Sequence, residues 1–346
     1  MEIALPISKS IANRWLMLQA MHGDKLLSVN ENMPDDVRLL HGALQVLLGR
    51  KEGERLTIDV QNCGTAMRFL TAYCAQLPDG DVILTGVERM KQRPIGQLVE
   101  ALRAIGADVT YVDKEGFPPL HIRGKALRIP TLPVVMQQPQ SSQFVSALLL
   151  IGVPVATDSC SPYIHMTRQL IEKFANRQSS SMSDMPFAIE ADWSAAAFWY
   201  EYVALYGGEV TLHGLHPDSL QGDKTVMSVF EPLGVVTACY PYGIHLSRRA
   251  NYTLPRAMDV DFTMTPDLYP AVALTCGRLG VSLHATGTDC LRWKESDRLA
   301  AVASHCTCAD HRMAMALMVA GYEVDDVACI AKSYPQFINQ LCKLRS

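Results

Sequence analysis

The chain has 346 residues, with 31 basic against 35 acidic side chains and a formal net charge of −4. That balance excludes a general nucleic-acid binder, which needs a basic excess or stripe, although it leaves room for a local basic pocket. Hydrophobic residues make up 49% and charged ones 19%, enough to build a sizeable core and too apolar for a disordered chain.

The length suits two domains, and no apolar run approaches the roughly 18–20 residues of a membrane span. The ten cysteines are scattered, and most sit in apolar runs such as FLTAYCAQL around Cys74 and AVALTCGRL around Cys276, where they read as small core residues. With no short disulfide framework and no signal peptide opening the chain, a reducing cytoplasm is the expected location.

In chain order, SKSIANRWLMLQAM from Ser8 predicts a first helix and RLTIDV (55–60) a strand. NCGTAMRFLTAYCA from Asn62 predicts a second apolar helix, followed by the strand DVILTG (81–86) and the amphipathic helix IGQLVEALRAIGA (95–107). ADVTYV (107–112) and LHIRG (120–124) alternate as strands do. SSQFVSALLLIG from Ser141 is a third apolar helix, and HMTRQLIEKFA (165–175) an amphipathic one. The polar SSSMSDM stretch (179–185) reads as a soft boundary. Beyond it come DWSAAAFWYEYVALYG from Asp192, the strands GEVTLHG (208–214) and GIHLS (243–247), TPDLYPAVALTCGRLG from Thr265, the strand VSLHATG (281–287), and DHRMAMALMVAG from Asp310.

The six apolar helices therefore form a loose internal repeat. Each opens on a residue that caps helices well, and most close at or near Gly. Their Ala and Leu content predicts burial on most sides. Alternation with strands predicts an α/β or α+β architecture.

Helix starts expose unpaired N–H groups and the positive end of the macrodipole, so several of them together make an anion site. Cations stand at these starts or in adjoining loops: Lys9, Arg14, Arg68, Arg93, Lys294, Arg298, Arg312 and Lys332. Arg offers a bidentate fork to phosphate or carboxylate, and Lys a point charge. Solvated surface charge is the bland alternative for any one of them; their common placement beside small-residue helix starts argues otherwise.

LPISKSIANR (5–14) resembles the LPGSKSxSNR signature of the EPSP synthases, and NCGTAMRFLTA (62–72) is similar to their NAGTAMRFLTA segment. RMKQRPIGQLVEALRAIGA (89–107), SSQFVSALL (141–149), PYIHMT (162–167), KESDRL (294–299), DHRMAMAL (310–317) and AKSYPQF (331–337) follow in family order. The resemblance implies a two-domain inside-out α/β barrel, each domain built of three βαβαββ units with buried parallel helices. The expected domains are 7–188 and 1–6 plus 189–346, with the active site in the cleft between them.

The implied reaction transfers the enolpyruvyl group of phosphoenolpyruvate to the 5-hydroxyl of shikimate 3-phosphate, releasing phosphate, in chorismate and aromatic amino-acid biosynthesis. Asp267 matches the family's proton acceptor for that hydroxyl and Glu295 its proton donor to C3; Lys9 joins them in the catalytic set. Phosphoenolpyruvate would be held by Lys9, Gly64, Arg93, Gln143, Arg298, Arg312 and Lys332. Shikimate 3-phosphate would be held by Lys9, Ser10, Arg14, Ser141, Ser142, Gln143, Asp267 and Lys294. Gly64 implies sensitivity to glyphosate, and Arg68 reads as structural. The family implies no cofactor, no membrane or nucleic-acid partner, and a monomer that closes on its substrates.

Several positions depart from the pattern. Ile7 replaces a Gly, Ala12 a Ser, Cys160 a Ser and Cys290 an Asn, and each of the two cysteines removes a hydrogen-bonding group from the shikimate phosphate set. The stretch between Arg298 and His311 is short for the family. His305, Cys306, Cys308 and His311 suggest zinc at first sight, but their spacing is not that of a structural zinc motif, so no metal is expected. The competing readings are the sister transferase acting on UDP-N-acetylglucosamine, which SKSIANR and KESDR disfavour, and a non-catalytic anion-binding relative.

Overall fold

The computed structural model describes residues 1–177 and 189–345, so the expected soft boundary at 179–185 lies outside the described residues. In chain order the first elements are β1 (Glu2–Ala4), α1 (Lys9–His22), α2 (Asp35–Leu48), β2 (Arg55–Asp59), α3 (Gly64–Gln76) and β3 (Asp81–Thr85). There follow α4 (Glu88–Lys91), α5 (Gly96–Ala104), β4 (Asp108–Tyr111), β5 (Leu120–Arg123), β6 (Val134–Val135), α6 (Ser142–Leu150), β7 (Val155–Ala156) and α7 (Pro162–Ala175). The remainder comprises α8 (Trp193–Tyr206), β8 (Glu209–His213), α9 (Val226–Phe230), β9 (Val235–Tyr240), β10 (Gly243–Arg248) and β11 (Ala257–Asp261). It ends with α10 (Tyr269–Leu279), β12 (Ser282–Thr286), α11 (Arg298–Ser304), α12 (His311–Ala320) and α13 (Phe337–Arg345).

All six expected apolar helices are present, as α1, α3, α6, α8, α10 and α12. Not foreseen were α2, α4, α9, α13, β1, β6, β7, β9 and β11. The three-residue β1 is too short to show a period.

Contacts divide the chain into two compact units: Met1–Lys9, Glu31–Asp35 and Ala188–Ser346 in the first, Ser10–Asn30 and Asp36–Phe187 in the second. The expected range 7–188 therefore needs correction at its start. Ile7 bridges Ala191, Ser8 N donates to Glu190 O at 2.8 Å, and Lys9 N donates to Asp192 Oδ2 at 3.1 Å, so these residues belong with the C-terminal half.

The two units repeat one topology. In the second, β2 runs parallel to β3, and β3, β5 and β4 continue antiparallel in the order β2-β3-β5-β4. In the first, β1 runs parallel to β8, with β10 and β9 antiparallel, in the order β1-β8-β10-β9. Each is one βαβαββ repeat. Beside it stands a shorter repeat whose described strands are a single parallel pair, β6–β7 or β11–β12. Full three-fold repetition within each unit is thus not seen among the described residues.

Helices α8, α10 and α12 pack on one another, and α3 packs on α6. Their faces are apolar nearly all round, which is why they are buried rather than amphipathic. In α8 the run Trp193 to Glu201 is buried throughout, and Trp199, Phe198, Phe337 and Tyr334 form an aromatic cluster with centroids 5.4–5.7 Å apart. Left-handed residues end α10 and α12 at Gly280 (φ 71°) and Gly321 (φ 85°), where a side chain would be strained.

Candidate active site

In the second unit the start of α6 is capped by Ser141, whose Oγ accepts from Gln143 N at 3.3 Å. The Gln143 amide donates onward to Thr65 Oγ1 at 2.9 Å, tying the first turn of α6 to that of α3. Arg14, one turn into α1, is 2% exposed. It donates to Thr167 Oγ1 (2.7 Å), Ser10 O (2.8 Å), Ser146 Oγ (3.3 Å) and Tyr163 O (3.3 Å), and burial pulls its pKa down to about 10, leaving it charged at neutral pH. Ser10, Arg14, Ser141, Ser142, Gln143 and Gly64 thus all stand at or near the first turns of α1, α3 and α6.

Gly64 opens α3 against two guanidinium groups. A Cβ there would fall 2.4 Å from Arg68 Nη1 and 2.6 Å from Arg93 Nη1. Arg93 is 9% exposed, and its Nε and Nη1 meet no protein acceptor. A buried guanidinium with unmatched donors is costly unless an anion completes it. Arg68, 5.9 Å over the Phe144 ring, also belongs to this cluster.

In the first unit the charges are densest around Asp267. Its Oδ1 accepts from Arg298 Nη1 (2.7 Å) and Lys294 Nζ (3.3 Å), and its Oδ2 from Arg312 Nη2 (2.9 Å). Glu295 is gripped by Arg298 Nη2 and Lys332 Nζ, both at 3.3 Å. Arg298, 1% exposed, also donates from Nε to Asp310 Oδ2 at 2.8 Å. Asp310 caps α12 through Arg312 N (2.9 Å) and accepts from Ser296 Oγ (3.2 Å). Lys9 is 9% exposed and anchored by its backbone to Asp192, the cap of α8. Six of the seven expected residues of this unit (Lys9, Asp267, Lys294, Glu295, Arg298 and Arg312) therefore lie on the starts of α1, α10, α11 and α12 or the turns leading to them, and Lys332 ends the 3-10 turn Ala328–Lys332 that follows α12.

The electrostatics follow. Burial works to raise the Asp267 pKa, but Arg312, Lys294 and Arg298 outweigh it and hold the carboxyl well below the usual range. For Arg298 burial opposes charge, and Asp310, Asp267 and Glu295 more than restore it. His311, buried and beside Lys9 and Arg312, is pushed well below its ordinary pKa and stays neutral. Asp223, buried and facing the charge of Asp267, is raised to about 7 while Ser194 Oγ donates to it.

Asp223 and Thr65 carried no signal in the sequence, whereas Asp192 was legible there as the cap of α8. The role of Asp310 was readable only as a cap, since nothing in D-H-R shows that its second oxygen will meet Arg298. Cys160 is exposed and Cys290 partly exposed. His311 is buried against Arg312 Nη1 at 2.5 Å, and no group of three or more metal-binding side chains occurs among the described residues.

A sequence model of the EPSP synthase family (3-phosphoshikimate 1-carboxyvinyltransferase) matches residues 1–306 and 302–341. The chain belongs to the EPSP synthase family. It is an enzyme of the shikimate pathway that transfers the enolpyruvyl group from phosphoenolpyruvate to shikimate 3-phosphate, and the nucleotide-sugar alternative is not favoured. A 3-phosphoshikimate 1-carboxyvinyltransferase of Bacteroides fragilis is 37% identical over 400 residues, covering 99% of this chain and 94% of that protein. One from Vibrio cholerae is 31% identical over 427 residues, covering 99% and 96%. EPSP synthase from Acinetobacter baumannii shares the fold at a TM-score of 0.68 with 18% identity, covering 99% of this chain and 95% of that one.

The family match breaks into two pieces that meet at 302–306, where α11 turns directly into α12.

Proposed function

We propose that Asp267 accepts the proton of the shikimate 5-hydroxyl as that oxygen adds to C2 of phosphoenolpyruvate, and that Glu295 delivers a proton to C3. Phosphate then leaves the tetrahedral adduct. The observation that carries this reading is the triple grip of Arg298, Arg312 and Lys294 on Asp267, which keeps a buried carboxylate ionised and fixed.

Glu295 begins as a partner of Arg298 and Lys332. Anionic substrate drawing on those two cations would weaken their hold on Glu295 and raise its proton affinity, as its role as an acid requires. Phosphoenolpyruvate is assigned to Lys9, Gly64, Arg93, Gln143, Arg298, Arg312 and Lys332. The unmatched donors of Arg93 beside Gly64 support this. Shikimate 3-phosphate is assigned to Lys9, Ser10, Arg14, Ser141, Ser142, Gln143, Asp267 and Lys294, with the hydroxyls and N–H groups at the start of α6 suited to phosphate oxygens.

The enzyme is proposed to act as a monomer in the cytoplasm, a compartment that suits ten cysteines with no disulfide among the described residues. No helix among the described residues is long and apolar enough to cross a membrane. Phosphate release from purified enzyme given both substrates tests the reading. Turnover that required a nucleotide sugar, or none with either acceptor, would overturn it.

A further inference from the structure

The turn between α11 and α12 carries a chemistry of its own. Cys308, exposed, donates its Sγ–H to the partly buried Cys306 Sγ at 2.8 Å. A disulfide needs about 2.05 Å, so the two sulfurs have roughly 0.8 Å to close. The intervening Thr307 is buried and pinned, its N and its hydroxyl both donating to Asp325 Oδ1. His305, Cys308 and Ala309 have φ of 54°, 48° and 55°, left-handed backbone that residues with a Cβ rarely adopt. Two residues beyond Cys308 stands Asp310, which holds Arg298 and Ser296.

We propose that Cys306 and Cys308 are a reversible dithiol site that a low-molecular-weight disulfide, such as oxidised glutathione, closes to an intramolecular disulfide, and that closure lowers turnover by displacing Asp310. The Cys308 Sγ–H donates to Cys306 Sγ, which makes Cys306 the acceptor of that proton and the sulfur that attacks first; burial and Cys306 push the Cys308 thiol up to about 11. The Cys306 thiolate attacks one glutathione sulfur, forming a mixed disulfide as the glutathione S–S bond breaks and one glutathione thiolate leaves. Cys308 loses its proton to solvent and attacks the Cys306 sulfur, forming the 306–308 bond and expelling the second glutathione. The protein dithiol is oxidised by two electrons and the glutathione disulfide reduced to two thiols.

The disulfide stands on geometry alone, whereas its effect on turnover rests on the role proposed for Arg298. The test equilibrates the full chain in glutathione buffers of rising disulfide fraction, alkylates remaining thiols, and weighs the peptide carrying both cysteines. The expected peptide is unalkylated and about two mass units lighter than the dithiol. In the same buffers kcat falls about tenfold or more, the scale on which misplacing a positioned group acts. Both changes reverse with dithiothreitol, and Cys306→Ser and Cys308→Ser keep the reduced activity in every buffer. A peptide doubly alkylated, or carrying glutathione without the bridge at every ratio, overturns the dithiol site. A bridged peptide with full turnover, or a loss shared by both serine variants, overturns the effect on turnover. Absence of turnover in fully reduced enzyme would instead count against the proposed reaction, so the two failures are distinguishable.

Discussion

Arg298 Nη1 donates to Asp267 Oδ1 at 2.7 Å, from a guanidinium that is only 1% exposed. The same guanidinium reaches Asp310 and Glu295, so removing Asp267 leaves Arg298 paired and the fold intact. Asp267→Ala is therefore expected to lose about a thousandfold or more in kcat while still binding shikimate 3-phosphate, a split that loss of a proton acceptor produces. Steady-state kinetics with calorimetric binding of shikimate 3-phosphate checks it. Undiminished kcat would remove Asp267 from the mechanism.

Gly64→Ala places a methyl group 2.4 Å from Arg68 Nη1 and 2.6 Å from Arg93 Nη1, so both guanidinium groups must move. The KM for phosphoenolpyruvate is expected to rise about tenfold or more, with a smaller change in kcat, because ground-state binding is what the arginines supply. The native enzyme, with Gly64, is expected to be inhibited by millimolar glyphosate. Full activity in that assay would count against the assignment of this corner to phosphoenolpyruvate.

Glu201 lies on α8 with no exposed surface and neither carboxylate oxygen partnered, and burial holds its pKa well above the ordinary value. The folded chain keeps this proton while the unfolded chain releases it above about pH 4.3, so Glu201 destabilises increasingly as pH rises past that point. Glu201→Gln removes the ionisation. Its stability relative to the native enzyme should grow by about 1.4 kcal/mol per pH unit above pH 4.3, until the folded pKa is reached. Denaturant midpoints from pH 4 to pH 8 read this directly. A difference that does not vary with pH would show that Glu201 ionises freely in the fold.

Phe337 opens α13 and is fully buried against Phe198, Trp199 and Tyr334. Phe337→Ala is expected to cost about 3–5 kcal/mol of stability, seen as a lower denaturant midpoint at unchanged slope. A loss below about 1 kcal/mol would mean that α13 is not anchored through this ring.

Ser141, Asp192 and Asp310 mark their helices in the sequence itself, because a capping side chain and an apolar run act within a few residues of each other. The same locality made α1, α3, α6, α8, α10 and α12 legible and placed a cation near most of their starts. It could not show α2 or β1, whose burial depends on what packs against them. It also assigned Ile7–Lys9 to the wrong half, since the pairing of Ile7 with Ala191 spans more than 180 residues of chain.

What the sequence determined by itself was the family, the alternation of strands with buried helices, and the identities of the charged residues at the helix mouths; these depend on residue type and short spacing. Tertiary structure alone decided which carboxylate each cation holds. Asp267 collects Arg298, Arg312 and Lys294 from 27 to 45 positions away, and its ionisation depends on distance and burial rather than on any neighbour in the chain. Coulomb attraction in a dry site varies steeply over a few ångströms, and only the folded backbone sets those ångströms.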